Sequence, residues 1–238
     1  MKNNRGYTLV ELLAIVTVLS IIVGMSSVAF NQVQNNVLEK DYENVISYIE
    51  STEAPLSADV YIIKGKNNNY IFDVGANKES REYLSKIDNK IVIISHFHQD
   101  HIGNMRFIKD SIMNLYVGDY TYRILGYGDK VLDIVEIDDG INLKIIHLPN
   151  SHAKGSLALI VNNEYLLIGD ALYTNRYGYN VSLLNNEIAI LKKYEYDKVI
   201  VSHKNKIYSK KQIIHELEYY YSKRENNKPY ISFSAFED

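Results

Sequence analysis

The sequence predicts an α+β protein in which one long N-terminal helix precedes a sandwich of two β-sheets with helices on the outside. Three observations lead to this prediction. The first fifty-odd residues combine an apolar run with an amphipathic pattern, the remainder alternates short β-rich runs with turns, and helical patterns punctuate those runs. We therefore expect a helical segment over 7–53 and a folded domain over 56–238.

The composition narrows the choice of partners and of metal ligands. The chain has 238 residues, a formal net charge of -3 and no cysteine. Such a balanced charge does not indicate nucleic-acid binding. Without cysteine no disulfide can form, and any metal ion must be held by nitrogen and oxygen donors.

The apolar run near the N-terminus is long enough to cross a bilayer. From Leu12 to Phe30 no residue carries a charge, and a helix of that length approaches the ~30 Å hydrocarbon core. Lys2 and Arg5 precede the run, so the positive-inside rule predicts a single pass with the N-terminus inside and the rest of the chain outside. Glu11 stands at the edge of the run, where an unpaired carboxylate is costly to bury.

The segment "RGYTLVELL" within residues 1–30 resembles the class III signal of type IV prepilins. This resemblance implies a leader of residues 1–6, cleavage by a prepilin peptidase after Gly6 and methylation of the new amine on Tyr7. Glu11 would offset the charge of that amine among packed helices of other pilin subunits. The domain would then be held outside the inner or cytoplasmic membrane, or carried in a pilus. The alternatives are an ordinary single-pass anchor and a secretory signal cut after Ala29.

Beyond the apolar run, an amphipathic pattern predicts that the helix continues to about Thr52 before Pro55 ends it. The apolar residues of this pattern are Val37, Leu38, Tyr42, Val45, Ile46 and Ile49. One long helix, half apolar and half amphipathic, has the shape of a pilin stalk.

After Pro55 the chain contains strands and helices in succession. "ADVYIIKG" and "NYIFDVG" predict a hairpin, "ESREYLSKI" a helix and "KIVIISH" a buried strand. "NLYVGDYTYRIL" and "VLDIVEI" follow, and "DDG" at 138–140 turns the chain into "INLKIIHL". A second hairpin of "SLALIVNN" and "YLLIGDALY" leads to the helix "NNEIAILKKY", the strand "KVIVSH" and the final helix "SKKQIIHELEYYYSKRE".

The buried strand "KIVIISH" leads into "SHFHQDHIGN", which carries three histidines and an aspartate within six residues. Imidazole nitrogens and carboxylate oxygens are the donors left for a divalent ion when cysteine is missing. So dense a pattern at the end of a strand predicts a metal centre rather than an accidental polar loop. The donors in this stretch are His96, His98, Asp100 and His101.

The same stretch resembles the HxHxDH signature of the metallo-β-lactamase superfamily, including the glycine and asparagine that follow it. The resemblance continues in order along the chain with Asp73 in "IFDVG", His152 in "HLPNSHAKGS", Asp170 in "LLIGDALY" and His203 in "VIVSHK". It implies an αββα sandwich that holds two divalent ions, most often zinc, although iron or manganese also suits such a site.

The resemblance further implies a role for each of these residues. The first ion would be held by His96, His98 and His152, the second by Asp100, His101 and His203, with Asp170 bridging both. Asp73 would orient the metal loop from behind the ligands. Asp100 would also act in catalysis by orienting the attacking hydroxide.

The activity that these roles imply is hydrolysis of an ester, thioester, lactone or phosphodiester. Asp170 stands where β-lactamases of the best-known subclass carry cysteine, which argues against antibiotic hydrolysis. The alternative function is a structural or adhesive minor pilin that keeps the metal for folding and has no turnover.

Two histidines and a group of tyrosines lie outside this pattern. We expect His147 to be structural and His215 to face solvent. The tyrosines of 219–221 and the loop 176–180 predict either a half-buried aromatic face or the wall of a substrate pocket.

Overall fold

The structure is a computed structural model that describes residues 41–42, 45–148, 152–172, 177–204 and 206–231. The prepilin-like signal, with Gly6, Tyr7, Glu11 and the apolar run, lies outside the described residues. Within the described ranges, no helix is both long enough and apolar enough to cross a membrane.

The larger of two mixed sheets forms from the first half of the described chain. The strands of this half are β1 (Asp41–Tyr42), β2 (Ile46–Ile49), β3 (Thr52–Glu53), β4 (Leu56–Ser57), β5 (Val60–Lys64), β6 (Asn69–Phe72), β7 (Lys90–Ile93), β8 (Ile112–Val117) and β9 (Asp129–Lys130). β3 and β4 pair only with each other, and the others form a sheet in the order β1-β2-β5-β6-β7-β8-β9. β6, β7 and β8 run parallel, so their carboxyl ends lie at one edge.

The second sheet forms from the later strands. These are β10 (Val135–Asp138), β11 (Asn142–His147), β12 (Leu157–Val161), β13 (Tyr165–Leu167), β14 (Tyr179–Asn180), β15 (Lys198–Ile200), β16 (Ile207–Ser209) and β17 (Tyr230–Ile231). β14 pairs with β17, and the others form a sheet in the order β10-β11-β12-β13-β15-β16. β13 and β15 are parallel, so the residues that follow them share an edge.

Helices connect the strands of both sheets. They are α1 (Lys78–Leu84), α2 (Gln99–Ile102), α3 (Met105–Ile108), α4 (Asp119–Leu125), α5 (Val181–Lys193) and α6 (Lys210–Ser222). The predicted hairpins β5–β6, β10–β11 and β12–β13 are present as antiparallel pairs. In "NLYVGDYTYRIL" only the first half is a strand, because Gly118 ends β8 and begins α4.

The hydrophobic core lies between the two sheets and continues on the outer side of the second. Phe72 and Ile93 of the larger sheet pack with Leu159 of the second sheet in one cluster. On the opposite face of the second sheet, Ile160 packs with residues of α5 and α6, including Leu184 and Leu217. β12 is consequently buried along its whole length, which explains its continuous apolar sequence "LALIV".

The predicted helix over 7–53 is wrong at its C-terminal end, where residues 46–49 form β2. This strand pairs antiparallel with β5, and the folded domain therefore begins before residue 56. Ile46 and Tyr48 face the core between the sheets and are buried. Apolar residues spaced by one and three positions fit a helix and a short buried strand alike, and the isoleucine and tyrosine content of "ISYI" favours the strand.

Candidate metal centre

The histidine-rich stretch begins directly after β7 at the edge where the parallel strands end. His96 follows the strand, and a single helical turn, α2, begins after His98 and carries Asp100 and His101. The turn is closed by hydrogen bonds from the backbone N–H groups of His101 and Ile102 to the carbonyl of His98. This tight turn lets four donors from one short segment point into a common space.

Three imidazoles form the first group of possible ligands. Nδ1 of His98 lies 3.0 Å from Nε2 of His96 and 3.1 Å from Nε2 of His152. The structure thus brings His152, from the loop before β12, to the two histidines that follow β7. Three converging nitrogens are a donor set typical of a zinc ion.

The loop of His152 is held against α4 by two glycines. A Cβ atom on Gly118 would lie 1.8 Å from the carbonyl oxygen of Gly155, so only glycine fits at 118. Gly155 itself has a φ of +69°, which side chains rarely allow. The backbone contact between these glycines therefore fixes the segment that follows His152.

Asp100, His101, Asp170 and His203 form the second group, in which the donor atoms lie within 4.8 Å of one another. Nε2 of His203 lies 3.0 Å from Oδ2 of Asp100, and Nε2 of His101 lies 3.5 Å from the same oxygen. Asp170 and His203 follow the neighbouring parallel strands β13 and β15, which explains why residues so distant in sequence meet here.

The carboxylate of Asp170 lies between the two groups. Its Oδ2 is 3.3 Å from Nε2 of His101 in the second group and 3.7 Å from Nε2 of His152 in the first. Two buried atoms at this point, His101 Nε2 and Asp170 Oδ1, have no hydrogen-bond partner among the described residues. Buried polar atoms normally have partners, so these two atoms and the donor set around them fit a pair of divalent ions.

The buried carboxylate of Asp73 contacts both His101 and Ser95. Its Oδ2 lies 2.8 Å from Nδ1 of His101, and its Oδ1 accepts a hydrogen bond of 2.8 Å from the backbone N–H of Ser95. The hydroxyl of Ser95 donates to Oδ2 as well. Because a carboxylate can only accept, Nδ1 of His101 carries the proton and Nε2 faces the site.

The charges of the centre differ from one histidine to the next. Burial lowers the pKa of His96 far below its ordinary value, and the neighbouring imidazoles of His101 and His98 lower it further. Burial also opposes the charged form of His101, but the carboxylates of Asp73 and Asp170 outweigh it and raise the pKa to about 10. His96 is therefore neutral, whereas the carboxylates around His101 favour a positive charge at that point, which a bound divalent ion would supply in place of a proton.

The glycine and asparagine that end "SHFHQDHIGN" join the metal loop to the segment after β6. A Cβ on Gly103 would approach the Cβ of Ala76 to 2.7 Å. The buried amide of Asn104 donates to the carbonyls of Val74 and Asn77, each at 3.0 Å. Both residues thus hold the ligand-bearing turn against the loop that carries Asp73.

Asp59 is a buried residue of the site that the sequence analysis missed. Its Oδ2 accepts a hydrogen bond of 2.8 Å from the backbone N–H of His203. Burial raises the pKa of Asp59, although hydrogen bonds from Ser51 and His203 act in the opposite direction. The signal in the sequence is the carboxylate directly before the apolar run "VYIIK", because a carboxylate beside a buried strand is seldom buried without a partner.

The residues outside the ligand pattern lie largely where they were expected. His147 ends β11 and is half-buried, and His215 is exposed on α6. Tyr179 and Tyr220 stack with ring centroids 5.2 Å apart, and both pack against the core beside α5 and α6. These contacts favour the half-buried aromatic face over the pocket wall.

Comparison with known protein families agrees with this architecture. A model of the metallo-β-lactamase superfamily matches residues 54–203, more than half of the chain, and the chain belongs to that superfamily. A model of the prokaryotic N-terminal methylation motif matches residues 1–27, so a prepilin-type class III motif is fused to the domain. No curated protein matches the chain.

Solved structures with the same fold come from several kinds of protein. A metallo-β-lactamase from Pontibacter korlensis has a TM-score of 0.62 at 15% identity, covering 76% of this chain and 97% of that chain. A flavoprotein from Thermotoga maritima has a TM-score of 0.60 at 13% identity, covering 80% and 62%. A peroxy diiron species of the chemotaxis sensor ODP has a TM-score of 0.59 at 15% identity, covering 78% and 93%. At these identities the likeness shows the fold.

Proposed function

We propose that the folded domain is a hydrolase with two divalent metal ions, attached to a prepilin-type N-terminal segment. The observation that carries this proposal is the position of Asp170, whose carboxylate lies within 3.7 Å of His152 in one ligand group and 3.3 Å of His101 in the other. A structural metal site is normally closed around one ion, whereas a shared carboxylate between two donor groups is suited to a pair of ions with open positions.

Each ligand has a defined role in this proposal. The first ion would be held by His96, His98 and His152 and the second by Asp100, His101 and His203, with Asp170 available to both. Zinc is the first candidate, and iron or manganese suits the same nitrogen and oxygen donors. The diiron chemotaxis sensor has the same fold, which is a reason to measure iron as well as zinc.

The ions, when bound, supply a Lewis acid for the carbonyl or phosphoryl group and lower the pKa of water toward neutrality. The protein residues supply orientation. Asp100 lies in the first turn of α2. Its carboxylate would accept a hydrogen bond from the attacking water and direct the lone pair of the water at the substrate. Oδ2 of Asp100 lies 3.0 Å from Nε2 of His203, so both donor atoms point to the position that the second ion would take. The substrate is an ester, thioester, lactone or phosphodiester.

The proposal is tested by comparing the hydrolytic turnover of the wild-type protein with that of single-residue variants. The full-length protein, loaded with Zn²⁺ or Fe²⁺, should hydrolyse at least one probe of these four classes. Asp170→Ala and His101→Ala should abolish that turnover, and His215→Ala, in which an exposed histidine is removed, should retain it. Unchanged turnover in the two ligand variants would contradict the assignment.

A structural or adhesive minor pilin is the second candidate, and the methylation motif favours it because such motifs belong to pilin subunits. In this alternative both groups bind metal ions, but the protein catalyses no reaction. Two bound ions per chain with no turnover on the whole probe panel would support the minor pilin and exclude the hydrolase for those bonds.

The methylation motif also carries a proposal about processing and location. A prepilin peptidase would cut after Gly6, Tyr7 would be methylated, and Glu11 would pair with that amine among other pilin subunits. The domain would then lie outside the inner or cytoplasmic membrane. Mass spectrometry of the mature N-terminus should find a methylated Tyr7, and a chain that retains Met1 in cells with an active peptidase would refute the processing.

A further inference from the structure

Asp59 lies behind the second ligand group, where its carboxylate contacts the backbone of His203. It is 5% exposed and directly precedes β5, at the edge of the larger sheet where the ligands gather. Its two oxygens have different backbone partners, and the hydroxyl of Tyr61 also donates to Oδ2 at 3.3 Å. Oδ2 accepts the backbone N–H of His203 at 2.8 Å, and Oδ1 accepts the backbone N–H of Ser51 at 2.7 Å.

The backbone of His203 needs such a partner because of its conformation. His203 has a φ of 59°, in the left-handed region that residues other than glycine rarely occupy. Such conformations persist only where the surroundings hold them. The N–H of the preceding residue, Ser202, donates to the carbonyl of Gly169 at 3.0 Å, and Asp59 holds the N–H of His203 itself.

The neighbour of Asp59 holds the facing ligand. The backbone N–H of Ala58 donates to the carbonyl of Asp100 at 2.9 Å. Residues 58 and 59 thus hold the backbones of Asp100 and His203, whose side chains are 3.0 Å apart. The start of β5 therefore sets the spacing of these two ligands in the second group.

We propose that Asp59 is a positioning residue for the second metal ion: it keeps His203 in its left-handed conformation and so raises the affinity of the second group. This inference rests on the proposed two-metal centre. Removing a partner that stands behind a metal ligand typically weakens metal binding by about 10–100-fold. We expect a loss of that size for the second ion and none for the first, because His203 belongs to the second group alone.

Competitive Zn²⁺ titration of the full-length protein in detergent, against a chromophoric chelator, measures the two affinities separately. Asp59→Ala should weaken the second binding step by about 10–100-fold and leave the first unchanged. Asp59→Asn keeps one acceptor oxygen and should show a smaller loss. It also serves as the test variant if Asp59→Ala does not fold.

Asp139 provides a matched control at the other end of the sandwich. It is 7% exposed and its carboxylate accepts the backbone N–H groups of Asn67 and Asn68, at 3.0 and 2.9 Å. Asp139→Ala removes the same kind of buried carboxylate far from the ligands. It should lower the melting temperature while both Zn²⁺ affinities stay at the wild-type value.

A double variant separates positioning from general loosening of the fold. In a His203→Ala background the second group is already broken, so adding Asp59→Ala should weaken Zn²⁺ binding no further. Equal weakening of both steps by Asp59→Ala, or wild-type affinities in every folded Asp59 variant, would overturn the inference. A wild-type protein that binds fewer than two ions would contradict the proposed two-metal function itself and, with it, this role.

Discussion

Asp73 connects the backbone of the larger sheet to the metal centre through a single side chain. It is fully buried, has a φ of 61°, and contacts both Ser95 and His101. Aspartate and asparagine tolerate this left-handed conformation better than most residues. Replacement by asparagine therefore keeps the backbone and changes only the charge and the hydrogen bonding.

We expect Asp73→Asn to weaken metal binding by about 10–100-fold, because the amide no longer holds His101 with a charged acceptor and its NH2 group faces a donor. Zn²⁺ competition titration measures the loss. Asp88→Asn, a change of the same kind in an exposed loop, is the control. Wild-type affinity in Asp73→Asn would mean that His101 is oriented by other contacts.

At the scale of elements, β2 belongs to the folded domain, although the sequence pattern placed it in the N-terminal helix. Ile46 and Tyr48 lie in the core between the sheets, and the strand pairs along its length with β5. β5 in turn begins at Asp59, and the N–H of Ser51, two residues after β2, donates to that carboxylate. β2 is thus part of the fold of the domain rather than the last turn of a stalk.

Ile46→Ala tests this assignment, since Ile46 is 0% exposed. Truncation of such a side chain in a packed core should lower the free energy of unfolding by about 2–5 kcal/mol. Glu53→Ala, at an exposed position of the β3–β4 hairpin, should change it by less than about 0.5 kcal/mol. Urea denaturation of the two variants makes the comparison, and a negligible effect of Ile46→Ala would contradict the packing of β2.

At the scale of the whole molecule, the ligands link the two sheets at one end of the sandwich. His96 to His101 follow a strand of the larger sheet, whereas His152, Asp170 and His203 border strands of the second sheet. At the opposite end of β6 and β11, Asp139 links the turns of the β5–β6 and β10–β11 hairpins. The sheets are therefore joined at both ends, and metal ions would complete one of the two links.

Removal of metal should therefore lower the stability of the whole domain. An ion present at 100 times its dissociation constant adds about 2.7 kcal/mol to the free energy of unfolding. Thermal unfolding with excess Zn²⁺ and after chelation should show this difference as a shift in melting temperature. The shift should be smaller in His101→Ala, and an equal shift in that variant would point to binding elsewhere.

The residues that the structure brings into two donor groups could be named from the sequence: His96, His98, Asp100 and His101 by their density after a strand, and the other three by the resemblance to the metallo-β-lactamase superfamily. Asp59 and β2 could not. The role of Asp59 depends on a contact with His203, 144 residues away, and local patterns do not encode contacts of that range. β2 was missed because a four-residue apolar segment fits two periodicities, and the choice was made by pairing with β5.

Because the ligands come from both sheets, metal binding depends on the folding of the domain. Both groups draw on residues from the two sheets, so an unfolded chain possesses neither site in full. Both sites are therefore completed only when the two sheets pack against each other. If the domain crosses the membrane unfolded, its ions would come from the medium outside rather than from the cytoplasm, and the supply of metal around the cell would set the fraction of chains with both sites filled.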